Sequence, residues 1–118
     1  MIVRTHRFHG RTSLNSVYKN GKSVRSAMIT LKYSNRGQRP YRVAVVVSRK
    51  VHKSAVVRNR IRRRIYEICR NQTKVDLTGR DLIFTIFSDQ IASLEHEKLE
   101  STINGLLQKT AEHRSNVL

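Results

Sequence analysis

The 118-residue sequence has one cysteine, one proline, no tryptophan and only eight acidic residues. A single cysteine, Cys69, excludes an internal disulfide and fits a reducing compartment. No apolar stretch approaches the roughly 18 residues of a membrane-spanning helix. The basic stretch Met1 to Arg11 is not followed by the apolar segment of a secretory signal. These absences predict a cytoplasmic protein with no membrane partner. There is also no internal repeat, linker or low-complexity segment. The length therefore predicts one domain over 1–118, preceded within it by a basic arm at 1–11.

Acids are scarcest where bases are densest. Residues 1–74 hold 20 of the 24 Lys and Arg but a single acid, Glu67, for a net charge of +19. Residues 75–118 carry four basic and seven acidic residues, a net −3. The charge is placed rather than spread, which predicts one face that binds a polyanion. Such binding weakens steeply with salt, because each neutralised phosphate releases counterions.

Residues that would carry protein-based catalysis are also missing. His6, His9, His52, His96 and His113 are dispersed, and Cys69 has no second cysteine. Asp76, Asp81 and Asp89 fall at turns and strand ends, where short carboxylates are common for local reasons. One acid among 74 residues does not make a two-metal phosphodiesterase site. Glu67 is placed to pair with Arg63 at i, i+4.

The periodicity gives the order of elements. Leu14, Val17 and Tyr18 predict a short amphipathic helix from Ser13 that Asn20-Gly21 ends. Ala27 to Tyr33 alternates as a half-buried strand. Ser34 to Pro40, with Asn35-Arg36-Gly37 and the single proline, is a turn. Val43 to Val47 is continuously apolar and predicts a strand buried on both faces. After the basic loop Ser48 to Ser54, a helix is predicted over Ala55 to Asn71. Val57, Ile61, Ile65 and Ile68 form its core stripe. Leu82 to Phe87 predicts another strand. A last helix, from about Ser93 to His113, turns Leu99, Ile103, Leu106 and Ala111 inward.

Within the central helix lies Arg58-Asn59-Arg60-Ile61-Arg62-Arg63-Arg64, five arginines in seven positions. So much like charge on one helix opposes folding unless a polyanion neutralises it. Guanidinium forks match phosphate geometry, and Asn59 adds an uncharged donor and acceptor. Asn59, Arg63, Tyr66 and Arg70 point away from the apolar stripe, with Arg60 and Arg64 on one flank and Arg62 on the other. Tyr66 is therefore expected at the interface, whereas Tyr18 and Tyr33 are first read as core, and Cys69 as a small packing residue.

Three features resemble the protein component of bacterial ribonuclease P. These are the Arg58-Asn59-Arg60-Ile61-Arg62-Arg63 string, the preceding Arg42-Val43-Ala44-Val45-Val46-Val47-Ser48-Arg49-Lys50, and Val17-Tyr18-Lys19-Asn20-Gly21 at the end of the first helix. The resemblance runs from about Arg7 to Leu107. It implies an α+β fold, an α–β sandwich of order αβββαβα with a left-handed βαβ crossover, like the second domain of ribosomal small-subunit protein S-five. Handedness comes from the resemblance alone, since crossovers are otherwise right-handed. The implied function is that of a protein subunit assisting a catalytic RNA that removes 5′ leaders from precursor tRNA. Catalysis and its Mg²⁺ ions then belong to the RNA, with one protein per RNA.

Carried over by position, Ser48, Arg49, Lys50, Arg58, Asn59, Arg60, Arg62 and Arg63 are the expected contacts to the RNA subunit. Leu14, Tyr18, Thr30 and Lys32 are the expected leader contacts. Leu14 and Lys32 depart from the family's frequent aromatics, so Lys32 is expected to hold the leader by charge. A basic residue stands in some relatives at the position of Tyr66. The competing readings are a ribosomal or other structural-RNA-binding protein, a nucleoid-type DNA-binding protein and a stand-alone nuclease.

Overall fold

The computed structural model describes residues 15, 17–19, 21–35 and 37–116. The predicted basic arm, Leu14 and Asn20 lie outside the described residues. Residues 15 and 17–19 are helical and are the described part of α1. Gly21 ends it, donating its N–H to the Val17 carbonyl at 2.7 Å. A Cβ at Gly21 would lie 2.4 Å from that oxygen and 2.7 Å from the Tyr33 carbonyl. Only glycine lets the helix end lie this close to a strand.

The four strands are β1 (Lys22–Arg25), β2 (Ile29–Asn35), β3 (Arg42–Val46) and β4 (Arg80–Ile86). They form one sheet of order β1-β2-β4-β3. β1 and β4 each run antiparallel to β2, and β3 runs parallel to β4. β1 is short, and Val24 is its single buried residue, so no apolar alternation marks it in the sequence. The two parallel neighbours are joined by a crossover containing α2 (Ala55–Asn71). A 3-10 turn, Asp89–Ala92, leads from β4 to α3 (His96–Asn116). Among the described residues no helix is long and apolar enough to cross a membrane.

α2 has the predicted limits for identifiable reasons. The Ser54 side chain accepts from the Val57 N–H at 3.4 Å, the usual N-cap arrangement. Ile61, Ile65, Ile68 and Cys69 are its buried residues, while Val57 is half-buried against them. They pack with Leu31, Val45 and Phe84 of the sheet and with Leu99, Ile103 and Leu107 of α3. The inner sheet face and two helices thus share one core.

Three expectations need correction. β3 is not buried on both faces: it is an edge strand in which Val43 and Val45 are buried and Ala44 and Val46 half-exposed. β4, flanked by β2 and β3, is the strand buried on both faces, with Leu82, Ile83 and Phe84 all fully enclosed. α3 begins at His96 rather than near Ser93, because Ser93 and Leu94 donate their N–H groups to Gln90 O and so close the 3-10 turn before it, a turn braced by Arg64. Arg64 donates to Ile91 O at 2.5 Å and also to Leu94 O. The inward stripe of α3 continues through Leu107 and Thr110, and Ala111 is only half-buried.

The end of the sheet where β3 and β4 begin is held by polar pairs. Arg42 grips Asp81 with two bonds, Nε to Oδ1 at 2.9 Å and Nη2 to Oδ2 at 2.8 Å. The Asp81 side chain is 4% exposed, so this residue, at a strand end as expected, is also a buried structural partner. Arg80, also buried, donates to the Thr110 hydroxyl. Gly79 has φ +79°, and a Cβ there would lie 1.8 Å from the Gly37 carbonyl. Two turns meet at that point with no room for a side chain.

Two outcomes check this core. Ile61→Ala should lower unfolding free energy by about 2–5 kcal/mol in urea titration, the usual cost of emptying a closed aliphatic site. A loss below about 1 kcal/mol would mean that the stripe is not packed as described. Burial pushes the Cys69 thiol up to about 12 from an ordinary 9.0. Raising the pKa of this acid in the folded state gives stability that is full below pH 9 and is lost as pH rises toward 12. Alkylation of Cys69 should accordingly be negligible in the folded protein at pH 8 and rapid in urea. Equal rates in the two states would contradict its burial.

Candidate nucleic-acid interface

The arginines of α2 divide into two sets. Arg58 Nη1 donates to the carbonyls of His52 at 3.0 Å and Lys53 at 2.8 Å. Arg62 donates to Asn59 Oδ1 at 2.7 Å and to the Val47 carbonyl at 3.4 Å. Arg64 binds the chain after β4, as described above. These three fasten α2 to the segments that leave β3 and β4. Each guanidinium has five N–H donors, so the bonds described do not exhaust them.

Arg60 and Arg63 belong to the second set. Both are exposed, and neither bonds to or pairs with another described residue. Ser48, Arg49 and Lys50 are exposed in the loop before α2, where the Val51 N–H closes a turn on Ser48 O at 3.0 Å. Asn59 is exposed, with its Oδ1 held by Arg62. Glu67 does not pair with Arg63. Its carboxylate meets Arg70 at 2.5 Å, i, i+3, leaving Arg63 clear of acid. Tyr66 is half-buried and packs against the core, so it is not the exposed interface aromatic expected from its helical angle.

On the other face of the sheet lies a groove of about 450 Å³. Tyr18 of α1 forms one wall, and Thr30 and Lys32 of β2 lie on its floor with Thr85 of β4. Ser23 and Arg25 of β1 continue it. Three of the four expected leader positions, Tyr18, Thr30 and Lys32, therefore meet; the fourth, Leu14, lies outside the described residues. Tyr18 is 41% exposed, which corrects its first reading as core, whereas Tyr33 is buried as expected. Lys32 Nζ lies 5.4 Å from the Tyr18 ring centroid and donates to its carbonyl at 3.4 Å. No lining residue is acidic.

Sequence reasoning missed Phe87. It lines the same groove and is 61% exposed. Alternation gave a signal: Ile83, Thr85 and Phe87 share a face, opposite the core-facing Leu82, Phe84 and Ile86. Its N–H donates to Met28 O at 2.9 Å, extending the β2–β4 ladder by one rung.

The groove and the loop carrying Ser48, Arg49 and Lys50 occupy the same end of the sheet. Val46, the last residue of β3, pairs with Thr85 in the groove, and Ser48 follows two residues later. Parallel pairing of β3 with β4 brings both strand ends there together. The result is a wide cationic region next to a groove with two exposed aromatics.

Comparison with known proteins agrees with this geometry. The family model described as Ribonuclease P matches residues 2–111. The ribonuclease P protein component of Caldanaerobacter subterraneus subsp. tengcongensis is 36% identical over 94 residues, covering 80% of this chain and 79% of its own. That of a Synechococcus strain is 32% identical over 113 residues, covering 92% and 84%. The solved RNase P protein of Staphylococcus aureus has a TM-score of 0.77 at 21% identity, covering 91% of this chain and 96% of its own. The RNase P protein from Thermotoga maritima gives 0.76 at 22% identity, covering 87% and 96%. The two structures show the fold, and the family match with the closer sequences shows the lineage: this chain belongs to the ribonuclease P protein family.

Proposed function

We propose that this chain acts as the protein component of ribonuclease P, a subunit of an endoribonuclease that removes the 5′ leader of precursor tRNA. The observation that carries the reading is the pair of exposed arginines, Arg60 and Arg63, that bond to no other described residue, in a chain of this family that also has a cationic groove. The partner is the RNA subunit, one per protein, and the site of action is the cytoplasm.

Bond cleavage is assigned to the RNA subunit and its Mg²⁺. Among the described residues no three His, Cys, Asp or Glu side chains cluster closely enough to hold a metal ion. The protein's part is affinity and positioning. Arg60 and Arg63 present forked donors to phosphates, and Arg49 and Lys50 extend the same surface. Ser48 and Asn59 add uncharged groups able to reach ribose hydroxyls. Arg58 and Arg62 hold that surface in shape while offering their remaining N–H groups.

In the groove, Lys32 neutralises a leader phosphate, Thr30 offers a hydroxyl, and Tyr18 offers a ring face to an unstacked base. Holding the leader on one side of the junction and the RNA subunit on the other fixes the scissile bond relative to the catalytic RNA. That is an orienting role, which fits a protein whose functional side chains are phosphate binders.

The test is a reconstitution with the RNA subunit and a precursor tRNA at low Mg²⁺, following leader release. The protein should stimulate cleavage strongly. Arg60→Ala with Arg63→Ala should reduce RNA-subunit affinity by about tenfold or more while leaving thermal melting unchanged, since both side chains are exposed. Tight RNA binding without stimulation would return the chain to general structural-RNA binding. Cleavage by the protein without RNA would make it a nuclease in its own right.

A further inference from the structure

Three large hydrophobic side chains are exposed among the described residues: Val56, Tyr18 and Phe87. A single exposed apolar residue is ordinary. Two exposed aromatics lining one groove are not accounted for by chance scatter, because each forgoes burial that the neighbouring core could have provided. Phe87 also stands where the backbone is best controlled. Its N–H extends the sheet ladder, and the 3-10 turn beginning two residues later is held to α2 by Arg64.

We infer that Phe87 is a second base-stacking platform of the groove and a specificity-determining residue for the single-stranded leader. The inference rests on the reading that the groove receives the leader. Tyr18 belongs to α1 and Phe87 to the end of β4, so two bases are received on separate elements, with Thr30 and Thr85 between them on the floor. The volume accommodates an unstacked base with its ribose. Lys32 and Arg25, with no lining carboxylate, match a phosphate backbone running between the two rings. Stacking on a ring face tolerates any base, so Phe87 makes the site selective for unpaired over paired leaders more than for sequence.

The test uses the reconstituted holoenzyme, with precursor tRNA carrying a leader of about eight nucleotides, a length within the usual reach of single-strand grooves. Mature tRNA without a leader is the control. 2-Aminopurine is placed at successive leader positions. One position should be quenched by stacking on Phe87. Phe87→Leu, which keeps bulk and apolarity but removes the ring, should abolish that quench. It should also weaken leader-bearing tRNA by about five- to a hundredfold relative to leaderless tRNA, the range found for removing one stacking ring. Phe87→Tyr should restore both. If the wild-type holoenzyme prefers leader-bearing tRNA and Phe87→Leu changes neither signal, Phe87 has no such role and the groove reading stands. If the wild type does not distinguish the two RNAs, the groove reading falls and Phe87 with it. The side chain is exposed and its ladder bond is made by backbone, so both variants should melt as wild type does.

Discussion

Docking of Ile61, Ile65 and Ile68 on the inner sheet face is the constraint on which everything else depends. It must hold α2 in place while Arg58–Arg62, Arg60–Arg63 and Arg60–Arg64 repel one another at i+3 and i+4. Each such like-charge pair costs about 0.2–0.5 kcal/mol on an exposed helix. Each isoleucine buried contributes about 1.5–3 kcal/mol. The apolar stripe outweighs the repulsion, so the arginine surface is assembled before any RNA arrives. A polyanion then meets a rigid display and does not have to order it.

Engaging some arginines with carbonyls is the second part of that solution. Arg58, Arg62 and Arg64 each donate to backbone oxygens at the ends of neighbouring segments. Their charge is partly satisfied by dipoles, and the loops carrying Ser48 to Lys50 and the turn after Phe87 are fixed to the same helix. The charged surface and the groove are thereby mechanically continuous. Arg60 and Arg63, exposed and bonded to no other described residue, keep their donors for a ligand.

How far the sequence was legible follows the kind of signal involved. α2 was legible through its 4-4-3 apolar spacing, and the Ser54 cap found in the structure is a second local signal that agrees with it. Tyr18, Thr30 and Lys32, named together through the family resemblance, line one groove in the structure. What the sequence hid is tertiary. A continuous apolar run reads as a central strand, yet Val43 to Val47 lies at a sheet edge, and β4 with polar Arg80-Asp81 at its start lies in the middle. Glu67 lies within helical reach of both Arg63 and Arg70, and spacing alone does not choose between them. Asp81 looked like a turn residue because its partner, Arg42, is 39 positions away. Phe87 was hidden by the tendency of aromatics to be core, although its alternation placed it with Thr85.

α2 thus divides its arginines into a free pair, Arg60 and Arg63, and an engaged set, Arg58, Arg62 and Arg64. The most direct measurement is the salt dependence of RNA-subunit affinity for wild type, Arg63→Ala and Arg64→Ala. If the division is functional, Arg63→Ala lowers the slope of log affinity against log salt by about one and leaves the melting temperature unchanged. Arg64→Ala should leave the slope nearly intact and lower the melting temperature, because the Ile91 and Leu94 carbonyls lose their donor. Equal slope changes for the two variants, with no difference in melting, would contradict it.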